Sequence, residues 1–206
     1  QFSSGPCVKR SGWDFKKILG KAYLGRSHRA DESKAQIRHL IRLTKEILEI
    51  PENYKVGIVP ASNTGAFEMA MWTMLGKLPV DILAWENFGL VWANDIIEQL
   101  GIDDYKLISA DYGTLPNMTD TRLESDICFT WNGTTSGVKV PNVDWIPENR
   151  KGLVLCDATS AVFAMNMEFK KLDVITWSWQ KVLGGEAAHG MMALSPKAVE
   201  RLENYT

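Results

Sequence analysis

Cysteine is scarce: Cys7, Cys128 and Cys156 are the only three in 206 residues. Their positions lack the paired spacing of a zinc site, and two of them fall inside apolar runs, as reduced core thiols do. No metal site is expected. An excess of charge of one sign is missing as well, with 23 Lys and Arg against 25 Asp and Glu. That balance gives no broad positive field to grip a phosphate backbone, so nucleic acid is not an expected partner. No apolar run reaches the length needed to span a membrane, and there is no internal repeat or low-complexity linker. Three Asn-x-Ser/Thr matches, at Asn117, Asn132 and Asn204, are expected to be chance, because no secretory leader is recognisable. The chain opens on Gln1 rather than Met, which leaves its true start open.

What is present is ample apolar material. Hydrophobic residues make up 45% and charged residues 23%, a balance that fits neither a disordered nor a fibrous chain. One cytoplasmic globular domain with a sizeable core is expected.

The hydrophobic pattern alternates between two periods. From Asp31 to Ile50 apolar residues recur at helical spacing, and Pro51 ends the run. Strands are expected at Val56–Val59, Val80–Ala84, Tyr105–Ser109, Asp126–Trp131, Gly152–Cys156, Val174–Trp179 and Gly190–Leu194. Helices are expected at Ala66–Leu75, Phe88–Leu100 and Pro196–Tyr205. Strands alternating with helices predict an α/β fold, three layers α/β/α around a mostly parallel central sheet. Ligands collect beyond the carboxyl ends of such strands.

Four candidate segments follow strand ends. Asp157 closes the run Gly152–Cys156, and Lys181 closes Thr176-Trp177-Ser178-Trp179-Gln180-Lys181. An acid and an amine at neighbouring strand ends are what pyridoxal phosphate requires. The amine condenses with its aldehyde, and the carboxylate keeps the pyridine nitrogen protonated so that the ring withdraws electrons. A surface lysine and a turn aspartate are the plainer alternative. The turn Pro60-Ala61-Ser62-Asn63-Thr64-Gly65 between a strand and a helix suits a phosphate, through free N–H groups and the helix dipole. A simple N-cap by Asn63 or Thr64 fits it too. Asn132 to Thr135 forms the fourth segment.

Gly5-Pro6, Ser27-His28-Arg29, Trp131-Asn132-Gly133-Thr134-Thr135, Cys156-Asp157-Ala158-Thr159-Ser160 and Ser178-Trp179-Gln180-Lys181 follow in this order along the chain. As a set they resemble the phosphoserine aminotransferase family, class V aminotransferases of the fold type I pyridoxal phosphate enzymes, from Phe2 to the last residue. The resemblance implies that residues 1–206 are the large, cofactor-binding domain, with residues 1–30 at the substrate entrance. Family members continue into a smaller C-terminal domain, which carries an arginine for the substrate carboxylate. That domain is absent here, which puts the activity of this chain alone in question.

The resemblance also implies roles. Lys181 carries the cofactor and moves the substrate proton, and Asp157 pairs with the ring nitrogen. Gln180 touches the cofactor, Thr134 approaches its phenolic oxygen side, and Thr159 orients Asp157 or reaches the ring, unless its hydroxyl only caps the turn. Asn63 and Thr64 match the phosphate cup, where relatives often have Gly-Arg. Phe88 is chosen to stack on the ring, with Trp92 as its rival, although aromatics at this spacing also serve as core. Trp177 and Trp179 are walls of the site or plain strand packing. His28 and Arg29 belong at the substrate end, where a guanidinium grips carboxylate or phosphate, with Ser4 nearby. A solvated loop is the alternative there. His189 is a lesser general-base candidate, and His39 is structural.

The implied reaction is amino transfer between glutamate and 3-phosphohydroxypyruvate, giving 2-oxoglutarate and phosphoserine for serine biosynthesis in a homodimer. An alanine:glyoxylate-like aminotransferase, a cysteine desulfurase and a noncatalytic truncated domain of the same fold are the alternatives.

Overall fold

The structure, a computed structural model, describes residues 11–204. Ser4 and Cys7 lie outside them. The elements run α1 (Phe15–Leu19), α2 (Asp31–Ile47), β1 (Lys55–Pro60), α3 (Asn63–Met74), β2 (Val80–Ala84), α4 (Asn87–Asn94), β3 (Tyr105–Ser109), β4 (Asp126–Thr130), β5 (Val154–Asp157), β6 (Val174–Ser178), β7 (His189–Leu194) and α5 (Pro196–Glu203). The seven strands form one sheet in the order β1-β7-β6-β5-β4-β2-β3. Pairings from β3 through β6 are parallel, and β7 is antiparallel to both β6 and β1. The expected mostly parallel α/β sheet is therefore what forms.

Strands β2, β4, β5 and β6 are buried along their whole length. Their near-continuous apolar sequences reflect a sheet covered on both faces. On one face Phe67, Met71 and Met74 of α3, Trp92 of α4 and Ala198 of α5 pack on Ile82, Cys128, Leu155 and Val174. The other face is covered by segments with little regular helix. There Tyr54, Val143, Ile146, Val162 and Phe169 close over Phe129, Val154, Ile175 and Trp177. The two helix-poor stretches that provide this layer, around 138–146 and 161–172, carry no 3.6-residue apolar period for a sequence reading to find.

Two expected helices differ in detail. The span Phe88–Leu100 begins one residue earlier and turns from α-helix into a π-helical segment, Asp95–Gln99. Leu100 N–H then bonds Asp95 O at 2.8 Å, a five-residue step. Helix α2 stops at Ile47, before Pro51, because Glu49 takes a left-handed backbone with φ 53°. Along α2 only Thr44 is buried; Ile37, Leu40 and Ile47 stay exposed.

Charge is buried at the amino ends of the strands, far from the carboxyl ends where a ligand is expected. Asp126, at the start of β4, accepts from both guanidinium nitrogens of Arg201 on α5, at 2.9 and 3.1 Å, and from Leu153 N–H at 2.7 Å. Asp173, just before β6, accepts from Arg150 at 2.9 Å, Ser195 at 2.7 Å and Val154 N–H at 2.9 Å. These pairs clamp α5 and the β4–β5 connection to the sheet.

Gly152 is the tightest point of that connection. A Cβ there would lie 1.8 Å from Ser125 O and 2.5 Å from Asp126 N, both backbone atoms that cannot swing aside. Gly152→Ala is expected to cost about 3 kcal/mol or more through forced backbone displacement. Urea unfolding checks it: the midpoint should fall with the slope unchanged.

Among the described residues no helix is long and apolar enough to cross a membrane, and no group of three or more His, Cys, Asp or Glu gathers to hold a metal ion.

Candidate active site

A cleft opens at the carboxyl ends of β1, β4, β5 and β6, where a parallel sheet is expected to take a ligand. The start of α3 contributes Asn63 and Thr64, α4 contributes Phe88 and Trp92, the end of β5 contributes Asp157, and the loops after β4, β5 and β6 contribute Thr134, Thr159, Gln180 and Lys181. All eight expected cofactor positions thus converge, together with Trp92, although up to 118 residues separate them in the chain.

Asp157 forms the floor. Its Oδ1 accepts from Thr159 N–H at 3.0 Å and Thr159 Oγ1–H at 2.7 Å. Its Oδ2 accepts from the Trp92 indole N–H at 3.2 Å. The Asn63 side chain lies beside the same carboxylate and favours its charged form. Burial holds the Asp157 carboxyl above its usual range, and the donors of Thr159, Trp92 and Asn63 pull the other way.

Lys181 stands in the same cleft, half-buried, on the turn that leaves β6. Gln180 beside it accepts a short hydrogen bond from Ser178 Oγ, which ties the turn to the strand end. Phe88 is exposed and lines the cleft. Thr134 Oγ1 lies 3.2 Å from Ser160 Oγ, which Asn132 in turn reaches from Nδ2 at 3.0 Å.

Helix α3 begins at Asn63, three residues earlier than its apolar pattern predicts, with Ser62 at the N-cap. Ser62 makes no side-chain cap bond, and the first helical bond is Ala66 N–H to Ser62 O at 3.0 Å. The N–H groups of Asn63, Thr64 and Gly65 precede it and are available to an anion. Neither Asn63 nor Thr64 is the cap, so that alternative falls. Gly65 is required there, because a Cβ would come within 2.7 Å of Ala61 Cβ. Ala61 itself holds a left-handed φ of 67°, the kind of backbone strain that functional turns retain.

Other expectations are corrected by position. Trp92 is buried and hydrogen-bonded to Asp157, so it is not free to stack on a ring and Phe88 stands without that rival. The Asn63 side chain lies beside the Asp157 carboxylate, and its backbone N–H remains for a phosphate. Trp177 is buried in the far face of the core, and Trp179 stacks on His189 at 5.0 Å. Neither indole lines the cleft, and His189 does not line it either. His28 and Arg29 are exposed on the turn before α2 and are not brought to the cleft. His39 lies exposed on α2, where its Nδ1 is 3.0 Å from Arg42 Nη2. Buried Thr130 at the end of β4 lines the cleft and was not foreseen; as the last but one residue of the expected strand Asp126–Trp131 it could have been. The donor set suits pyridoxal phosphate: an amine, a buried carboxylate, an open aromatic face and a helix start free to bind an anion.

No protein-family profile matches the chain. It is 57% identical over 205 residues to phosphoserine aminotransferases of Methanosarcina barkeri and Methanosarcina mazei, covering 100% of this chain and 55% of each of those proteins. The chain therefore spans about half the length of these curated relatives. Among solved structures it superposes on a phosphoserine aminotransferase from Cytophaga hutchinsonii with TM-score 0.78 at 24% identity, covering 91% of this chain and 52% of that one. An aspartate aminotransferase from Thermus thermophilus gives TM-score 0.77 at 20% identity, over 90% and 54% of the two chains. A pyridoxal phosphate-bound phosphoserine aminotransferase from Trichomonas vaginalis gives 0.69 at 16%, over 86% and 50%. At these identities the superpositions show the fold, that of the fold type I aminotransferases.

Proposed function

We propose, from the similarity of this chain along its whole length to phosphoserine aminotransferases, that it binds pyridoxal phosphate and serves amino transfer between glutamate and 3-phosphohydroxypyruvate. The convergence of Lys181 and the donor-bound Asp157 in one cleft is the observation that carries the reading. When bound, the cofactor supplies an aldehyde that captures amino groups and a ring that stores the electron pair released at the substrate Cα.

The residues divide the remaining work. Lys181 would hold the cofactor covalently, and its amine would carry the proton to and from the substrate Cα as a general base and acid. Asp157 pairs with the ring nitrogen as a buried anion, where low dielectric strengthens the interaction. Phe88 covers a face of the ring, and Thr134, Thr159 and Gln180 set its edges. Three N–H groups at the start of α3 and the Thr64 hydroxyl take the phosphate, replacing with dipoles the arginine that relatives often use there.

Exposed His28 and Arg29 are retained in the proposal as the anion-binding pair of the substrate entrance, with Ser4. A C-terminal small domain for the substrate carboxylate, a homodimer, a cytoplasmic location and a place in serine biosynthesis complete it, all drawn from the resemblance. The desulfurase alternative loses support, because Cys128 and Cys156 are fully buried and burial pushes both thiols well above their usual range.

Borohydride reduction of the full-length protein incubated with pyridoxal phosphate is expected to fix a phosphopyridoxyl mass on the peptide containing Lys181. An unmarked peptide would sink the cofactor reading. With glutamate as donor, 3-phosphohydroxypyruvate should be aminated and pyruvate should not; equal use of both would remove the substrate claim.

A further inference from the structure

Asp157 is the register partner of Thr130 on β4 and Thr176 on β6, so the three side chains stand in a row on the face covered by α3 and α4. The Thr130 and Thr176 hydroxyls and Asn63 Oδ1 are buried without partners. The hydrogen bonds Asp157 receives come instead from Thr159, twice, and from Trp92. A carboxylate has about four acceptor sites, and these three bonds leave one for a ring N–H.

The donors are not equivalent. Thr159 lies two residues away and its bonds are local. Trp92 is 65 residues away on a helix, and its indole packs against Phe67 of α3 with centroids 4.9 Å apart. Helix α4 is itself fixed at its start, where Glu86 Oε1 accepts from Gly89 N–H at 2.8 Å. Phe88 and Trp92 are four residues apart and share one helix face, Phe88 exposed and Trp92 buried.

We infer that Trp92 is a positioning residue: its indole N–H fixes Oδ2 of Asp157, so that one helix sets both the aromatic wall and the orientation of the carboxylate that a bound ring meets. The inference rests on the reading of Asp157 as the partner of a ring nitrogen. Losing a donor to the charged form should make the carboxylate easier to protonate. The groups facing Asp157 from α3, α4, β4 and β6 are neutral: Asn63, Trp92, Thr130 and Thr176. Lys181 is the titratable group in the same cleft, and the Cys156 thiol is the adjacent one in sequence.

Trp92→Phe in the full-length protein keeps an aromatic ring against Phe67 and removes the N–H. In cofactor-free protein labelled with ¹³C-aspartate, the Asp157 carboxyl, identified by its loss in Asp157→Asn, should titrate about 1 unit higher than in wild type. In the loaded enzyme kcat should fall roughly tenfold with KM for glutamate little changed. Unchanged titration and kcat would overturn the inference, as would a lower Tm with both unchanged, because the indole would then be packing alone. If the variant fails to fold, wild-type protein labelled with ¹⁵N-tryptophan provides the test. One indole N–H signal should move with the carboxylate titration and stop moving in Asp157→Asn; no such signal counts against the pairing. An unmarked Lys181 in the reduction experiment would sink the cofactor reading, yet these cofactor-free titrations would still decide whether the pair exists.

Discussion

Lys181→Ala in the full-length protein should lower kcat by roughly 10⁴-fold or more, because one substitution removes both the covalent anchor and the proton carrier. Steady-state assays with glutamate and 3-phosphohydroxypyruvate measure it. Cofactor should still be retained on gel filtration, since Asp157, Phe88 and the start of α3 remain, but borohydride should no longer attach it. Lys181→Arg should be as inactive, because a guanidinium keeps its proton at any working pH and is no nucleophile. A variant keeping more than a tenth of wild-type kcat would mean that the chemistry runs through another group.

Arg201→Ala is expected to destabilise the fold by about 3–5 kcal/mol, the usual cost of leaving one partner of a buried pair alone. The side chains of Arg201 and Asp126 are 9% and 0% exposed. The substitution strands Asp126 as an unpaired carboxylate and removes the donor of Met74 O. For a domain of this size the loss corresponds to a Tm drop of roughly 6–20 °C, measurable by calorimetry.

The pH dependence has a definite sign. Burial already raises the folded Asp126 pKa, even with Arg201 and Leu153 N–H pulling it down. Without Arg201 it should rise further. A folded pKa above the unfolded one means that the folded state holds the proton more tightly. Its contribution is complete below the unfolded carboxyl pKa and is lost as pH rises through the folded one. The deficit of Arg201→Ala should therefore shrink as pH falls from neutral toward the carboxylate range. Asp126→Asn/Arg201→Met should recover part of the loss at neutral pH, because it removes both charges and keeps an acceptor for Leu153 N–H. A pH-independent deficit would show that lost packing, not the unpaired charge, is the cause.

Much of the site was legible because its residues sit at strand ends. Val80–Ala84 and Tyr105–Ser109 form as their apolar runs predict, and Asp157 and Lys181 follow runs whose ends were clear within a residue or two. What the pattern missed has physical reasons. The layer over Phe129 and Trp177 is built from turns and 3₁₀ segments, which have no period to detect. The π-helical stretch at Asp95–Gln99 keeps an apolar spacing that also fits a continuing α-helix. Trp92 resembled a stacking ring because aromatic identity is visible in a sequence, whereas the direction of an N–H is not.

By itself the sequence determined the alternation of strand and helix, the mostly parallel sheet and the chemical identities at its carboxyl edge. These depend on local propensity and on which residues can be buried, and both are written into short windows of chain. Only the tertiary structure decided that the Trp92 indole would close on Asp157, that Trp177 would face away from the cleft, and that Arg201 would reach Asp126. Those outcomes depend on how helices seat on the sheet, and that is fixed by the packing of the whole core against its conformational entropy rather than by any one segment.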